Sequence, residues 1–229
     1  MDLITPFDLV DHFPAGARLA IIGNAPTLSG RGLGPRIDAH DMIVRFNDCR
    51  VRGFEADVGG RTDILVCNPY AETRPGRVVA DEPLPQIILV LTPQTRRGDR
   101  ETFSRWAGDT KVLFSYTPDI RIDTAPRQAI SLTTGTYAVS LLHNLMQPAS
   151  MFLSGFSMFA PGSDFHYWST VRPSGLKSHV PASEALVFAD LLNSLRCRVE
   201  ITSEIQDIFS RCSKIPGRHL RLHAAGRPD

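Results

Sequence analysis

The sequence has almost no net charge and no long apolar run. Its 25 lysines and arginines stand against 24 aspartates and glutamates among 229 residues. A nucleic-acid-binding domain usually carries a strong basic excess, so nucleic acid is not expected as a partner. No apolar stretch approaches the roughly 20 residues that span a bilayer. The acidic N-terminal stretch also lacks the basic start of a secretory signal peptide.

Cysteines and paired carboxylates are scarce as well. The four cysteines are widely spaced and match neither a zinc pattern nor a dense disulfide framework: Cys49, Cys67, Cys197 and Cys212. A reducing cytoplasm is therefore the expected compartment. The sequence contains no Asp-x-Asp, the carboxylate pair that commonly holds a divalent cation on a bound nucleotide. Neither a metal nor another cofactor is expected.

Short apolar runs alternate with helical patterns along the chain. The run 86–91 has the length of a strand buried on both faces, which is typical of a parallel sheet. The order predicts an α/β fold that is Rossmann-like, with a mostly parallel central sheet flanked by helices. We predict one domain over residues 1–210. Further strands are predicted near 19–22, 42–44, 63–67, 111–114, 151–153 and 198–201, and helices near 3–13, 100–107, 137–145 and from 181 onward.

Two predicted strands each end in an asparagine, with a glycine-rich turn between them. Asn24 follows the first strand, Asn47 follows the second, and the turn spans Gly30 to Gly34. Glycine lets backbone N–H groups approach an oxyanion closely, and an amide donates hydrogen bonds without adding charge. This arrangement predicts a site for the phosphate and sugar of a nucleotide. The alternative is that both asparagines only satisfy turns.

Two further segments suit the same kind of ligand. Thr133, Thr134 and Gly135 open a predicted helix, whose first N–H groups can bind a phosphate or a carboxylate. An ordinary helix cap is the alternative interpretation. Gly155 follows the strand 151–153 and is expected to let a nucleotide approach the sheet edge. Asp57 and Arg61 are expected to form a structural ion pair.

Taken in order, these motifs resemble the sialylmotifs of glycosyltransferase family 29. The large motif is matched by Gly23-Asn24, the glycine loop, Arg45-Phe46-Asn47 and, most specifically, Gly-Phe-Glu-Ala-Asp-Val-Gly-Gly-Arg-Thr at residues 53–62. The remaining matches are Leu132–Gly135 with Ser154–Phe156 for the small motif, His166-Tyr167-Trp168 for the third, and His179 with Glu184 for the last. The resemblance covers roughly residues 18–190.

The resemblance implies a variant glycosyltransferase-A-type fold. It also implies inverting, metal-independent transfer of an acidic sugar, sialic acid first, from its CMP ester to a hydroxyl of a glycan or glycolipid. Animal members have a membrane anchor and a disulfide, whereas here Leu19 and Pro148 stand near the two cysteine positions. Ser169 also replaces the acidic residue of the third motif. A bacterial-type, cytoplasmic catalytic core is therefore expected.

Three alternatives stay open at this point. CMP-Kdo is a second donor that the same cytidylate-binding residues would accept. The departure at Ser169 also allows a non-catalytic nucleotide-binding protein. A nucleotide-dependent oxidoreductase is the weakest alternative, because Gly30, Gly32 and Gly34 do not follow Gly-x-Gly-x-x-Gly.

The resemblance also assigns roles to single residues. His179 is the candidate general base: it precedes Pro181, where a helix is predicted to begin, and the positive end of a helix favours a neutral imidazole. A capping or packing histidine is the alternative. Glu184 is expected to orient that helix end or cap its N–H groups. The other roles are leaving-phosphate contact for His166, shielding from water for Tyr167 and Trp168, and CMP-sugar binding for Gly23, Asn24, Asn47, Thr133, Thr134, Gly135 and Gly155.

The end of the chain, residues 211–229, is predicted to be a basic tail. Its basic residues are Arg211, Lys214, Arg218, Arg221 and Arg227. A solvated end is the default interpretation. Attraction to an anionic membrane surface is the alternative, at about 1 kcal/mol per basic residue near the surface. In that case the protein is peripheral at the inner face of the membrane.

Overall fold

A computed structural model describes residues 2–67, 82, 85–92, 100–116, 132–160, 162, 165–171 and 180–212. Within these ranges, parallel strands form one eight-stranded sheet in the order β1-β6-β5-β4-β3-β2-β7-β8. The mostly parallel sheet predicted from the sequence is therefore confirmed. The strands are β1 (Asp2–Leu3), β2 (Arg18–Ile22), β3 (Met42–Phe46), β4 (Ile64–Cys67), β5 (Ile87–Thr92), β6 (Lys111–Tyr116), β7 (Ser150–Ser154) and β8 (Arg198–Ile201).

Helices cover both faces of this sheet, so the described part of the chain has three layers. Side chains alternate along each strand, with Leu19 and Ile21 in one core and Ala20 and Ile22 in the other. The first core also holds residues of α1 (Pro6–Asp11), α5 (Thr134–Met146), α6 (Pro181–Ser194) and α7 (Ser203–Cys212). The opposite face is covered by a 3₁₀ helix (Pro26–Leu28), α2 (Gly34–Asp38), α3 (Glu55–Val58) and α4 (Arg100–Ala107).

Strand β2 lies where the chain changes direction across the sheet. From β2 the chain moves strand by strand to β6, and it then returns to place β7 on the other side of β2. Open parallel sheets bind ligands at the carboxyl ends of the strands, at such a switch point. A ligand is therefore expected at the carboxyl end of β2, between β3 and β7.

Four short elements were not predicted from the sequence: β1, the 3₁₀ helix, and the two helices α2 and α3. Tertiary contacts, rather than local pattern, account for the two helices. A Cβ on Gly34 would lie 2.0 Å from the carbonyl oxygen of Glu55, so α2 and α3 pack in direct backbone contact. The N-terminal helix is predicted correctly but is shorter than expected. Its Leu9 is fully buried, whereas its Phe7 is 83% exposed.

A buried arginine links β3 to α3. Arg45 is only 1% exposed, and its guanidinium donates to the carbonyl oxygens of Val58 (2.5 Å), Gly59 (3.2 Å) and Arg61 (3.0 Å) and to the Thr62 hydroxyl (3.1 Å). Burial lowers the pKa of this guanidinium. Arg45 thereby ties the end of β3, which carries Asn47, to the segment that contains the most specific motif.

The last described helix, α7, continues to Cys212, so the predicted start of the tail at Arg211 falls inside a helix. Residues 213–229 lie outside the described residues, and membrane attachment through them stays a prediction. Among the residues that the structure describes, no helix is long and apolar enough to cross a membrane.

Candidate functional site

The carboxyl edge of the sheet brings together most of the residues predicted from the motifs. Asn24 follows β2, Asn47 follows β3, and Gly155 follows β7. The amino end of α5 lies at the same edge, because a Cβ on Gly135 would lie 2.7 Å from the Phe156 ring that follows β7. These residues are therefore neighbours in the fold, and their role in one shared site stays a prediction.

Asn24 has a fixed orientation. Its Nδ2 donates to the Phe46 carbonyl oxygen at 2.9 Å, and because a carbonyl only accepts, this contact identifies the nitrogen of the amide. The other amide atom, Oδ1, is buried and has no hydrogen-bond partner among the described residues. Three residues later, the buried Thr27 Oγ1 also lacks such a partner. Buried polar atoms are usually paired, so this turn offers two unsatisfied groups to a ligand.

Thr27 was missed by sequence reasoning. It follows Pro26 in the short 3₁₀ helix after β2, and a single threonine there gives no recognisable signal. Thr27 is recognised only in the structure, because its buried Oγ1 has no hydrogen-bond partner among the described residues.

Asn47 adopts a left-handed backbone conformation, with φ of 49°. Its N–H donates to the Val66 carbonyl oxygen at 2.8 Å, which extends the β3–β4 pairing by one residue. Asparagine tolerates this conformation better than most residues. The positive φ turns the chain sharply at the strand end, where Asp48 follows.

His166 lies beside both strand ends. Burial lowers the pKa of its imidazole, while the charge of Asp48 and a hydrogen bond with the Asn24 backbone partly offset that shift by raising the pKa. The imidazole ring also contacts the Trp168 ring, with centroids 4.6 Å apart. A lowered pKa keeps the imidazole neutral near pH 7, so it is poorly suited to be a cationic acid, and its one N–H is used by the hydrogen bond with the Asn24 backbone.

The side chain of Tyr167 is buried and held by hydrogen bonds, and it does not shield the candidate site from water. It is 8% exposed, its N–H donates to the Asn24 carbonyl oxygen at 3.1 Å, and its hydroxyl donates to the Arg50 carbonyl oxygen. Its ring packs edge-on against Phe54 and Trp168. The expected shielding role is therefore corrected for Tyr167, because its side chain is already buried in the core on the α3 side. Its fixed backbone holds His166 next to Asn24.

Glu184 caps a different helix from the one expected. Its side chain is fully buried, and Oε1 accepts hydrogen bonds from the Thr133 N–H (2.8 Å) and the Thr136 hydroxyl (2.9 Å). Thr133 is the N-cap of α5, and its own hydroxyl accepts from the Thr136 N–H. The sequence placed Glu184 at its own helix end, so this expectation is corrected: it joins the start of α6 to the start of α5.

This contact changes what the start of α5 can bind. The N–H of Thr133 already has a carboxylate partner, which agrees with the ordinary cap that the sequence left as an alternative. Thr134 and Gly135 are the first two residues of α5, where helical N–H groups have no acceptor within the helix. Of the three predicted residues, these two remain suited to an anion.

The glycine-rich turn is held by an internal carboxylate. Asp57 accepts from the N–H groups of Gly30 (2.7 Å) and Gly32 (2.8 Å), and these hydrogen bonds lower the pKa of its carboxyl. The predicted Asp57–Arg61 ion pair is therefore wrong, since Arg61 pairs with Asp63 at 3.2 Å. The glycines bind the chain's own anion, and a phosphate at these two N–H groups is not supported.

Gly23 and Gly155 are required by close packing of the chain against itself. A Cβ on Gly23 would lie 2.1 Å from the Gly155 carbonyl oxygen, and one on Gly155 would lie 2.7 Å from Leu28 Cδ1. Gly155 also has φ of +76°, which disfavours other residues. The expected role of Gly155 in admitting a nucleotide is replaced by a structural one, because Leu28 occupies the space beside its Cα.

His179, the candidate base, lies outside the described residues. The helix that follows it, α6, begins at Pro181 as predicted. Among the residues that the structure describes, no cluster of three or more histidine, cysteine or carboxylate side chains could hold a metal. His219 and His223 stand four residues apart in the sequence, but both fall in the part that is not described.

The chain is similar to known sialyltransferases in sequence. Residues 15–98 match the family model for glycosyltransferase family 29 (sialyltransferase). A human CMP-N-acetylneuraminate-beta-1,4-galactoside alpha-2,3-sialyltransferase is 26% identical over 189 residues, 70% of this chain and 50% of that protein. Sialyltransferase-like protein 2 of Oryza sativa subsp. indica is 51% identical over 49 residues, 21% of this chain and 12% of that protein. The chain therefore spans half, or less, of the length of these relatives.

Two solved structures share the fold. A mammalian sialyltransferase has a TM-score of 0.53 and 24% identity, covering 80% of this chain and 68% of that one. The sialyltransferase CST-II, solved with CMP and a trisaccharide acceptor, has a TM-score of 0.52 and 14% identity, covering 80% of both chains. At such identities the likeness is one of fold.

The sheet and its carboxyl-edge site define a Rossmann-like α/β protein of the glycosyltransferase-A-like type. More narrowly, residues 15–98 match the sialyltransferases of glycosyltransferase family 29, so the resemblance predicted from the motifs is confirmed for that part of the chain.

Proposed function

We propose that this protein is an inverting, metal-independent sialyltransferase that moves sialic acid from its CMP ester to a hydroxyl of a glycan acceptor. The family match and the shared fold support the reaction class. The observation that carries the proposal is a pair of buried oxygens at the carboxyl end of β2, Asn24 Oδ1 and Thr27 Oγ1, which have no hydrogen-bond partners among the described residues. They lie at the switch point, where a nucleotide is expected.

The chemistry of these atoms favours the sugar of CMP. An amide oxygen only accepts hydrogen bonds, and an ionised phosphate has no proton to donate. Asn24 Oδ1 therefore suits a ribose hydroxyl or a base amine, while Thr27 can donate or accept. Neutral His166 and the N–H groups of Thr134 and Gly135 are the donors left for the phosphate and the sialic acid carboxylate.

In this proposal the reaction needs three contributions from the protein. His179 takes the proton from the acceptor hydroxyl as that oxygen attacks the anomeric carbon of the donor. The bond to the phosphate oxygen breaks, and the neutral His166 N–H turns from the Asn24 backbone to stabilise the charge that develops on departing CMP. Asn24, Thr27 and Asn47 hold the nucleotide so that the reacting carbon faces the acceptor.

The experiment is CMP release from CMP-sialic acid in the presence of lactose, with and without EDTA. We expect release that depends on the acceptor and is unchanged by EDTA. Loss of release with EDTA would contradict metal independence. A parallel reaction with CMP-Kdo distinguishes the two donors, and faster release from CMP-Kdo would reassign the sugar.

A non-catalytic CMP-binding protein is the second candidate. It is favoured by Ser169, which stands in place of an acidic residue and uses its side chain locally, accepting from the Val171 N–H at 3.1 Å. CMP binding by calorimetry, with no transfer across a broad acceptor panel, would support this candidate over the enzyme.

Replacing Thr27 with valine should weaken CMP binding without lowering the free energy of unfolding. The substitution keeps the shape but removes a hydroxyl that has no partner in the folded chain. We expect the affinity for CMP to fall by about 3- to 10-fold, the range of one hydrogen bond, while the unfolding free energy stays equal or rises. Calorimetry and urea unfolding measure the two effects. Thr62→Val is the control, because Thr62 contacts Arg45 instead. Unchanged CMP affinity in Thr27→Val would contradict the assignment of this turn to the nucleotide.

A further inference from the structure

An ion pair connects the two helical layers across the carboxyl edge of the sheet. Arg31 Nη2 lies 2.8 Å from Glu204 Oε2 and 3.0 Å from the Ser203 hydroxyl. Arg31 belongs to the glycine-rich turn on one face, whereas Ser203 and Glu204 begin α7 on the other face. We call the Arg31–Glu204 pair the clasp.

The arginine side of the clasp is held by the loop around it. The residues before and after Arg31 are Gly30 and Gly32, both at positive φ, and both donate to Asp57. The glycines give the turn its shape, and Asp57 fixes it to α3. The Arg31 side chain therefore starts from an anchored position although it is 40% exposed.

The glutamate side of the clasp touches the strand end directly. Glu204 Oε1 accepts from the Gly155 N–H at 3.3 Å, from the Ser154 hydroxyl at 3.3 Å and from the Thr202 hydroxyl. Its side chain is only 10% exposed. Gly155 in turn packs against Gly23, the residue before Asn24. One carboxylate thus links Arg31 to the backbone beside the site.

We propose that Arg31 and Glu204 are positioning residues for the nucleotide site. The clasp fixes the end of β7 against the turn after β2, and so sets the position of Asn24 and Thr27. This inference rests on the proposed function, because it concerns binding of CMP and the CMP-sugar. Glu204 lies outside the motifs that predicted the site, and Arg31 lies in the glycine-rich turn without having been assigned a role there. Since they act through Gly155 and Gly23, their loss should weaken donor binding more than turnover.

The test compares Arg31→Met with Arg36→Met. Arg36 in α2 also forms an ion pair, with Glu200 in β8. Its side chain is 47% exposed, so Arg36 matches Arg31 in residue type and in exposure. It contacts the Phe152 ring in the middle of β7 rather than the strand end. We expect Arg31→Met to raise KM for CMP-sialic acid and Kd for CMP by about 3- to 30-fold, with kcat within about 3-fold of wild type. Arg36→Met should leave both constants unchanged.

Variants at Glu204 separate the charge from the hydrogen bonds. Glu204→Gln keeps an oxygen for Gly155 but loses the ion pair, so it should match Arg31→Met. Glu204→Ala loses both and should have the larger effect. The double variant Arg31→Met/Glu204→Gln should be no worse than either single variant, because both remove the same interaction. Arg31→Lys restores a cation and should recover most of the donor affinity.

A second readout does not depend on activity. Amide hydrogen exchange at Gly155 should be faster in Arg31→Met than in Arg36→Met, because the clasp holds the acceptor of that N–H. Equal donor affinity in the two arginine variants would overturn the positioning role. If the wild-type protein neither binds nor releases CMP, the proposed function fails and the positioning role fails with it. The exchange rates then report whether the clasp still orders the strand end.

Discussion

Replacing His179 with alanine is expected to lower the rate of sialyl transfer by about 10²- to 10⁴-fold, the usual contribution of a general base. The expectation follows from where α6 begins. Glu184, in the first turn of α6, accepts from Thr133 at the start of α5, so both helix ends lie at the carboxyl edge of the sheet. In the sequence His179 stands two residues before Pro181, so we expect it on the side of Asn24 and Asn47.

The measurement is kcat for CMP release with saturating CMP-sialic acid and lactose. His12→Ala is the matched control, because His12 is exposed at the end of α1 and contacts Lys111 at the start of β6. CMP affinity should be unchanged in His179→Ala, since a base acts on the acceptor. Wild-type turnover in His179→Ala would rule out the base assignment, and lost CMP affinity would make His179 a binding residue.

The sheet was predictable because buried parallel strands leave a clear trace in sequence. Residues 87–91 are all apolar, and the strand they predict, β5, is buried on both faces, with Ile87 in one core and Ile88 in the other. The strand ends were predictable as well, because Asn24 and Asn47 directly follow apolar runs. The local sequence pattern was sufficient to predict those features that depend only on residues of the same strand.

The partners of the charged residues were not predictable in the same way. Thr133 and Glu184 are 51 positions apart, and Arg31 and Glu204 are 173 positions apart. Nothing local distinguishes Glu184 as a cap for another helix from a cap for its own. Likewise, Asp57 stands four residues from Arg61, which suggested an ion pair, yet two backbone N–H groups of a distant turn bind it instead.

Replacing the buried Arg45 with methionine is expected to lower the free energy of unfolding by about 3 to 5 kcal/mol. Removing a buried charge is favourable by itself, and an apolar side chain of similar volume can even stabilise a core when all charged partners leave together. Here the partners are the backbone carbonyls of Val58, Gly59 and Arg61, which stay behind. Each carbonyl left without a donor costs about 1–3 kcal/mol, so the loss outweighs the gain.

Lysine at position 45 should recover only part of this stability, since one ammonium group cannot reproduce the planar fork that reaches carbonyls on both sides. Urea unfolding of Arg45→Met, Arg45→Lys and the control Arg18→Met measures the difference. Arg18 pairs with Asp41 at the surface with its side chain 54% exposed, and its replacement should change the free energy of unfolding only slightly. Equal unfolding free energies for Arg45→Met and Arg18→Met would mean that the carbonyls find other donors. In that case Arg45 would not be what holds the end of β3, and with it Asn47, against α3.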